Sequence, residues 1–117
     1  MTPCELSERL MQFALRVIRM VEALPRTAAG RTISDQLVRS ACSAAANYRA
    51  AQRGKSRADF SNKIAIVLEE ADESAFWIEF AERAGLVKAA RVLPLRQEAV
   101  ELVKIFATMR RTARKPN

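Results

Sequence analysis

Apolar residues recur along this chain at intervals of three and four, in four blocks divided by Pro and Gly. That period puts them on one face of a helix, and no block alternates apolar and polar residues as a half-buried strand would. In the first block Leu6, Leu10, Phe13, Ala14, Val17, Val21 and Leu24 share a face, with Met11, Leu15 and Ile18 as a second apolar strip on its flank. Thr2-Pro3-Cys4-Glu5 ahead of it reads as a helix start: Thr as N-cap, Pro in the first turn, Glu three residues after the cap. Pro25 and Gly30 bracket a polar loop that ends this helix.

Thr32-Ile33-Ser34-Asp35 reads as a capping box for the second helix, with Asp in place of the usual Glu. Its face is Ile33, Leu37, Ala41, Ala44, Tyr48 and Ala51, and the run of Ala44, Ala45 and Ala46 lets a neighbouring backbone come close. Gly54 is suited to cap the end, and Ser56-Arg57-Ala58-Asp59 restarts the chain as a third helix. There Phe60, Ile64, Val67, Leu68, Ala71, Ala75 and Ile78 form the core face. Ile66, Trp77 and Phe80 fall on nearly the opposite side, with Phe76 at their edge.

Gly85 closes that helix. Pro94 leaves the next boundary with two readings: a short turn over residues 88–92, or a fourth helix that begins there and kinks at the proline. Beyond it, Leu95, Ala99, Leu102, Val103, Phe106 and Met109 share a face. The pattern predicts helices over about 6–24, 33–53, 57–84 and 95–112 and no strands. The expected fold is all-α, an antiparallel up-down-up-down four-helix bundle, with residues 1–117 as one domain and a basic tail over about 110–117.

Composition narrows the function classes. With 117 residues, half of them apolar and only three Gly, the chain can bury a core without metal or disulfide staples. Cys4 and Cys42 have no metal-ligand spacing and are expected to stay reduced. The chain has no His, which removes His-based acid–base catalysis, most zinc sites and every Ser-His-Asp arrangement. No signal pattern is present at the start, and no apolar run nears the roughly 20 residues of a membrane span, so a cytoplasmic protein without a membrane partner is expected. The formal charge of +7 favours anionic partners, nucleic acid first and an acidic membrane surface second; a solubilising surplus is the plainer explanation.

Two clusters of charge bear on chemistry. Glu69, Glu70, Asp72, Glu73, Glu79 and Glu82 spread over most of a helix circumference, whereas a di-metal bundle needs Glu-x-x-His pairs from facing helices. No catalytic, cofactor or metal residue is therefore assigned. Folding the third helix back on the second brings Arg39 near Glu70 and Gln36 near Glu73, so Gln36, Arg39, Asn47, Glu70 and Glu73 are expected to form a structural polar network. The basic residues are the more informative group. Arg39, Arg49, Arg53, Lys55, Arg57 and Lys63 surround the connector between the second and third helices. In an up-down-up-down bundle Arg110, Arg111, Arg114 and Lys115 reach the same end. Arg49, Arg53, Lys55, Arg57, Arg110, Arg111, Arg114 and Lys115 are thus the candidate phosphate contacts, with no interleaved aromatic to stack a base. Large apolar side chains on a helix's outer side mark an association surface, so Met11, Leu15, Ile18, Ile66, Trp77 and Phe80 are the candidate oligomer interface.

An ordered set of motifs in the middle of the chain adds a resemblance. Gln36-Leu37-Val38-Arg39-Ser40-Ala41-Cys42-Ser43 looks like the Q-[IL]-x-R-[SA]-[AC]-x-S segment of the proteins encoded within intervening sequences of bacterial 23S rRNA genes. Lys55-Ser56-Arg57-Ala58-Asp59-Phe60 is similar to that family's K-S-x-x-[ED]-F, and Glu69-Glu70-Ala71-Asp72-Glu73 falls where members carry a small-residue and Glu segment. The chain departs from the pattern around Ala46-Asn47-Tyr48-Arg49-Ala50. Ala44 and Ala45 stand where many members have a proline, and Ala50-Ala51 where they have Glu-Gly. The resemblance implies a small helical bundle that assembles into a barrel-like homopentamer. It also implies kinship with accessory proteins of diversity-generating retroelements, which work with a reverse transcriptase and nucleic acid.

The expectation is a non-enzymatic homo-oligomer that serves as a nucleic-acid-binding or ribonucleoprotein accessory module. RNA or DNA, or a protein such as a reverse transcriptase, would be its partner. The alternative is a purely protein-binding scaffold.

Overall fold

The computed structural model describes residues 1–114, and among these it contains four helices and no strand. They are α1 (Pro3–Glu22), α2 (Ala28–Ala51), α3 (Arg57–Arg83) and α4 (Ala89–Arg114). The apolar faces read from the sequence meet in one core. Leu10, Phe13 and Val17 of α1 pack with Leu37, Ala41 and Ala44 of α2, Ile64, Val67 and Ile78 of α3, and Ala99, Leu102 and Phe106 of α4. A smaller cluster of Leu24, Ile33 and Ala81 seals one end. The helix contacts are those of a bundle: α1 and α3 each pack their backbones beside α2 and α4 and lie diagonally across the core from one another.

Local chemistry sets most helix ends. Thr2 Oγ1 accepts a hydrogen bond from the Glu5 amide at 3.1 Å, and Ser56 Oγ accepts from the Asp59 amide at 3.1 Å, as the cap motifs predict. Gly85 takes the left-handed conformation with φ 73°. Its amide donates to the Glu82 carbonyl and that of Leu86 to the Ala81 carbonyl, the paired bonds of a Schellman cap.

Four expectations are corrected. The second helix does not open at Thr32: Thr27 is the N-cap, its Oγ1 accepting from the Gly30 amide at 3.1 Å, and Thr32 and Ser34 lie inside α2. Gly30 is accordingly a first-turn helix residue rather than a loop residue. A Cβ there would fall on the Pro25 carbonyl oxygen, so the fold needs glycine for close approach. Gly54 is no left-handed cap, since Gly85 holds the only positive φ among the described residues. Of the two readings at Pro94, a fourth helix that begins before the proline holds: α4 starts at Ala89 and runs through Pro94, ahead of the expected start at residue 95. Pro94 is only the sixth residue of α4, and the one amide bond it removes would have reached the carbonyl of exposed Ala90, where water can replace it.

Candidate nucleic-acid interface

The connector over residues 52–56 and the last turns of α4 come together. Gly54, Lys55, Ser56, Arg57 and Phe60 line one side of a cleft of about 460 Å³, and Met109, Thr112 and Ala113 line the other. The start of α1 sits at this same end, because Gln52 Nε2 donates to the Pro3 carbonyl at 3.4 Å. Two sequence-distant basic clusters are thereby brought to one end of the molecule. Arg49, Arg53, Lys55, Arg57, Arg111 and Arg114 are exposed, and Arg110 is half-buried with its Nε enclosed. Lys115 lies outside the described residues.

The nearby carboxylate is already engaged. Asp59 Oδ2 accepts from the Lys55 backbone amide at 3.3 Å, holding the connector. The side chains of Arg49, Arg53 and Lys55 make no ion pair among the described residues. Phe60 and Met109 floor the cleft, both partly buried against the core, so no exposed ring offers a base a stacking platform. What the arrangement offers is a set of cations at phosphate-contact reach on a rigid helical frame.

The polar network forms in part. Arg39 Nη1 donates to Glu70 at 2.8 Å, a second guanidinium nitrogen donates to Glu73, and Arg39 Nε donates to Gln36 Oε1 at 3.2 Å. Asn47 is not a member: its amide nitrogen donates within α2, to the Ser43 carbonyl at 2.9 Å and to Ser43 Oγ at 3.0 Å. Two further ties were not read from the sequence. Arg9 grips Glu98 with two bonds of 2.7 Å between α1 and α4, and Arg96 reaches Glu82 at 3.0 Å and Glu79 at 3.3 Å between α4 and α3. Four of the seven α3 carboxylates therefore serve interhelical ion pairs, and no group of acidic or Cys side chains among the described residues could hold a metal ion.

The centre of the α2–α3 packing is polar. Ser40 and Ser74 are fully buried, with their hydroxyls 2.8 Å apart, and each is also within hydrogen-bond distance of a carbonyl of its own helix; with one proton apiece, one hydroxyl donates to the other, which donates to its own carbonyl. Such hydroxyls are invisible to a search for apolar periodicity. The only sequence signal would have been their positions, each three residues from a core residue, at Leu37 and Ala71.

The candidate association residues divide. Met11, Leu15 and Ile18 on α1, and Ile66 and Phe80 on α3, are exposed, as is Phe76 at 54%. Trp77 is not on the outer side: it is half-buried and packs against both core clusters. The helical wheel placed it opposite the core, but a large indole on the flank of a helix can lean inward over its neighbour. Phe76, Trp77 and Phe80 nevertheless make one aromatic group, with centroids 4.9 to 5.7 Å apart. Leu93 and Val100 add exposed apolar surface on α4 that the sequence pattern did not single out. Cys4 and Cys42 are free thiols, both exposed. No helix among the described residues is long and apolar enough to cross a membrane.

The fold is shared with a solved structure. A crystal structure of a protein of unknown function from the S23 ribosomal protein family of Bacteroides thetaiotaomicron is 29% identical and superposes with a TM-score of 0.81. The likeness covers 89% of this chain and 96% of that one. Comparison with curated proteins gave no match. The family model described as 23S rRNA-intervening sequence protein matches residues 4–108, nearly the whole bundle, and the chain belongs to that family.

Proposed function

We propose that this protein is a non-enzymatic, oligomeric accessory module that binds the phosphate backbone of nucleic acid through the end of the bundle where the 52–56 connector meets the last turns of α4. The observation that carries the reading is the shared cleft, which joins Lys55 and Arg57 to the segment bearing Arg110, Arg111 and Arg114. An up-down-up-down antiparallel order of the helices accounts for that meeting. Arg39, Arg9 and Arg96, by contrast, are consumed by interhelical carboxylates. Cations gathered at one end, with Arg49, Arg53 and Lys55 spared from ion pairing among the described residues, provide the sequence-independent part of nucleic-acid affinity.

Oligomerisation belongs to the same proposal. α1 and α3 are not neighbouring helices within the bundle, and each carries an exposed apolar strip. Two different strips on separate helices favour a heterologous contact, the strip of one copy against that of the next, which closes into a ring or propagates as a filament. The family resemblance favours a ring of five. A ring would repeat the basic end, and a strand that reaches several copies would bind with avidity.

The test is a salt titration of wild type and of an Arg53→Ala/Lys55→Ala/Arg57→Ala variant against duplex DNA and structured RNA. Wild type should bind with little sequence preference, and its affinity should fall steeply with salt. The variant should bind all sequences more weakly, with a slope flatter by about 0.9 per lost contact on duplex DNA. These side chains are exposed around a turn, so the fold should persist. Absence of wild-type binding at about 50 mM salt, or an unchanged slope in the variant, would leave the basic end a solubilising surface and favour a protein-binding scaffold.

A further inference from the structure

A second hollow lies where the end of α1 meets the 84–88 connector and the first turns of α4, away from the basic end of the bundle. Gly85 reverses the chain, and Leu86 and Val87 fold in against the small cluster of Leu24, Ile33 and Ala81. Between this connector and α1 is a cleft of about 430 Å³. Its apolar lining includes Met20, Leu86, Val87 and Val92; its charged lining is Arg16, Arg19, Lys88 and Arg91. No Asp or Glu lines it. None of these four cations makes an ion pair among the described residues, whereas Arg9, Arg39, Arg83 and Arg96 all do.

Four uncompensated cations around one cavity repel each other, and a cavity of this size matches those that hold single small ligands. No aromatic side chain lines the hollow, so a nucleobase would find no stacking partner there. An aliphatic body would cover the apolar lining, and guanidinium groups are matched in geometry to phosphate oxygens.

We propose that this cleft is a binding site for a small amphiphilic anion, a phosphate monoester on an aliphatic body, with Arg16, Arg19, Lys88 and Arg91 holding the head and Met20, Leu86, Val87 and Val92 receiving the body. The site is independent of the nucleic-acid reading. It is tested on the full chain by calorimetric titration with octyl phosphate below its micelle concentration, beside octanol and inorganic phosphate as separate probes. Octyl phosphate should bind at least about tenfold more tightly than either probe, because only it engages both halves of the cleft. Replacing Arg19 and Arg91, both exposed, with Ala should weaken octyl phosphate binding by about ten- to a hundredfold without loss of helicity. The Arg53→Ala/Lys55→Ala/Arg57→Ala variant should bind octyl phosphate as wild type does. Phe80→Glu should also leave it unchanged, which separates the cleft from the exposed strips. Equal binding of octanol or of inorganic phosphate, or an Arg19→Ala/Arg91→Ala variant with wild-type affinity, overturns the proposal. So does binding to phosphatidylglycerol vesicles without binding to monomeric octyl phosphate, which would mark mere adsorption to an acidic surface.

Discussion

Replacing Gly30 with Ala sets two effects of opposite sign against each other. In a helix Ala is favoured over Gly by up to about 1 kcal/mol, less in a first turn, and restricting the unfolded chain acts in the same direction. On those grounds alone Gly30→Ala should stabilise. The structure reverses the sign. The added Cβ would fall on the Pro25 carbonyl oxygen, 3.0 Å from its carbon and 3.3 Å from Thr27 Oγ1. The obstacle is backbone, not the far end of a flexible side chain, so the turn itself must move. Moving it strains or breaks the Thr27 cap, worth about 1 kcal/mol, and loosens Leu24 from its packing with Ile33 and Ala81. Overpacking of this kind costs about 1–3 kcal/mol, so a net destabilisation of roughly 1–3 kcal/mol is expected. Urea titration and thermal melts at one fixed protein concentration give the measurement, with a melting point lower by roughly 4 °C for each kcal/mol. Gly54→Ala is the control. Its Cβ would meet the Ala51 carbonyl oxygen at 3.1 Å and the movable Asp59 carboxylate at 3.3 Å, so its effect should be smaller. A Gly30→Ala protein as stable as wild type would refute the reasoning.

Phe80→Glu should dissociate the proposed oligomer while leaving the monomer folded, because Phe80 is 45% exposed; light scattering and circular dichroism check both halves. Trp77→Glu, which the sequence alone suggests for the same purpose, should unfold the protein instead, since Trp77 packs on the core. Ser40→Ala should cost about 1 kcal/mol in urea titration, and Ser40→Ala/Ser74→Ala clearly less than twice that, because the bond between the two hydroxyls is already lost in either single variant. Burial pushes the Tyr48 hydroxyl above its usual pKa, so the folded state favours the neutral phenol. That contribution is fully present below the unfolded value of about 10 and is lost as pH rises through the folded one, so Tyr48→Phe should flatten the alkaline loss of stability in melts taken from about pH 9 upward.

Spacing along the chain determined what depends on one helix at a time. A residue's place on a 3.6-residue period fixes which face it shares, so Leu10, Leu37, Ile64 and Phe106 were legible as core, and Thr2, Ser56 and Gly85 as helix ends. The Arg39 ties to Glu70 and Glu73 were legible too, because a short connector between two long helices leaves little freedom in how they fold back. What two or more helices decide together was not legible. Thr27 caps α2 because the Pro25 carbonyl can rest on Gly30, a contact between a loop and the helix after it, while the local motif at Thr32 pointed elsewhere. Pro94 is accommodated because the carbonyl it leaves free belongs to an exposed residue near a helix start. Trp77 turns inward because both core clusters offer it a surface, although its helical angle points away. The meeting of the 52–56 connector with the end of α4 was inferred from topology, and the structure gave it a cleft with named walls. The hollow ringed by Arg16, Arg19, Lys88 and Arg91 had no sequence signal at all: its cations come in two pairs some 70 residues apart, and each pair alone looks like an ordinary solvated helix end. Local patterns specify which side of a helix faces inward, and only the packed bundle decides which charges are left without a partner and what space lies between them.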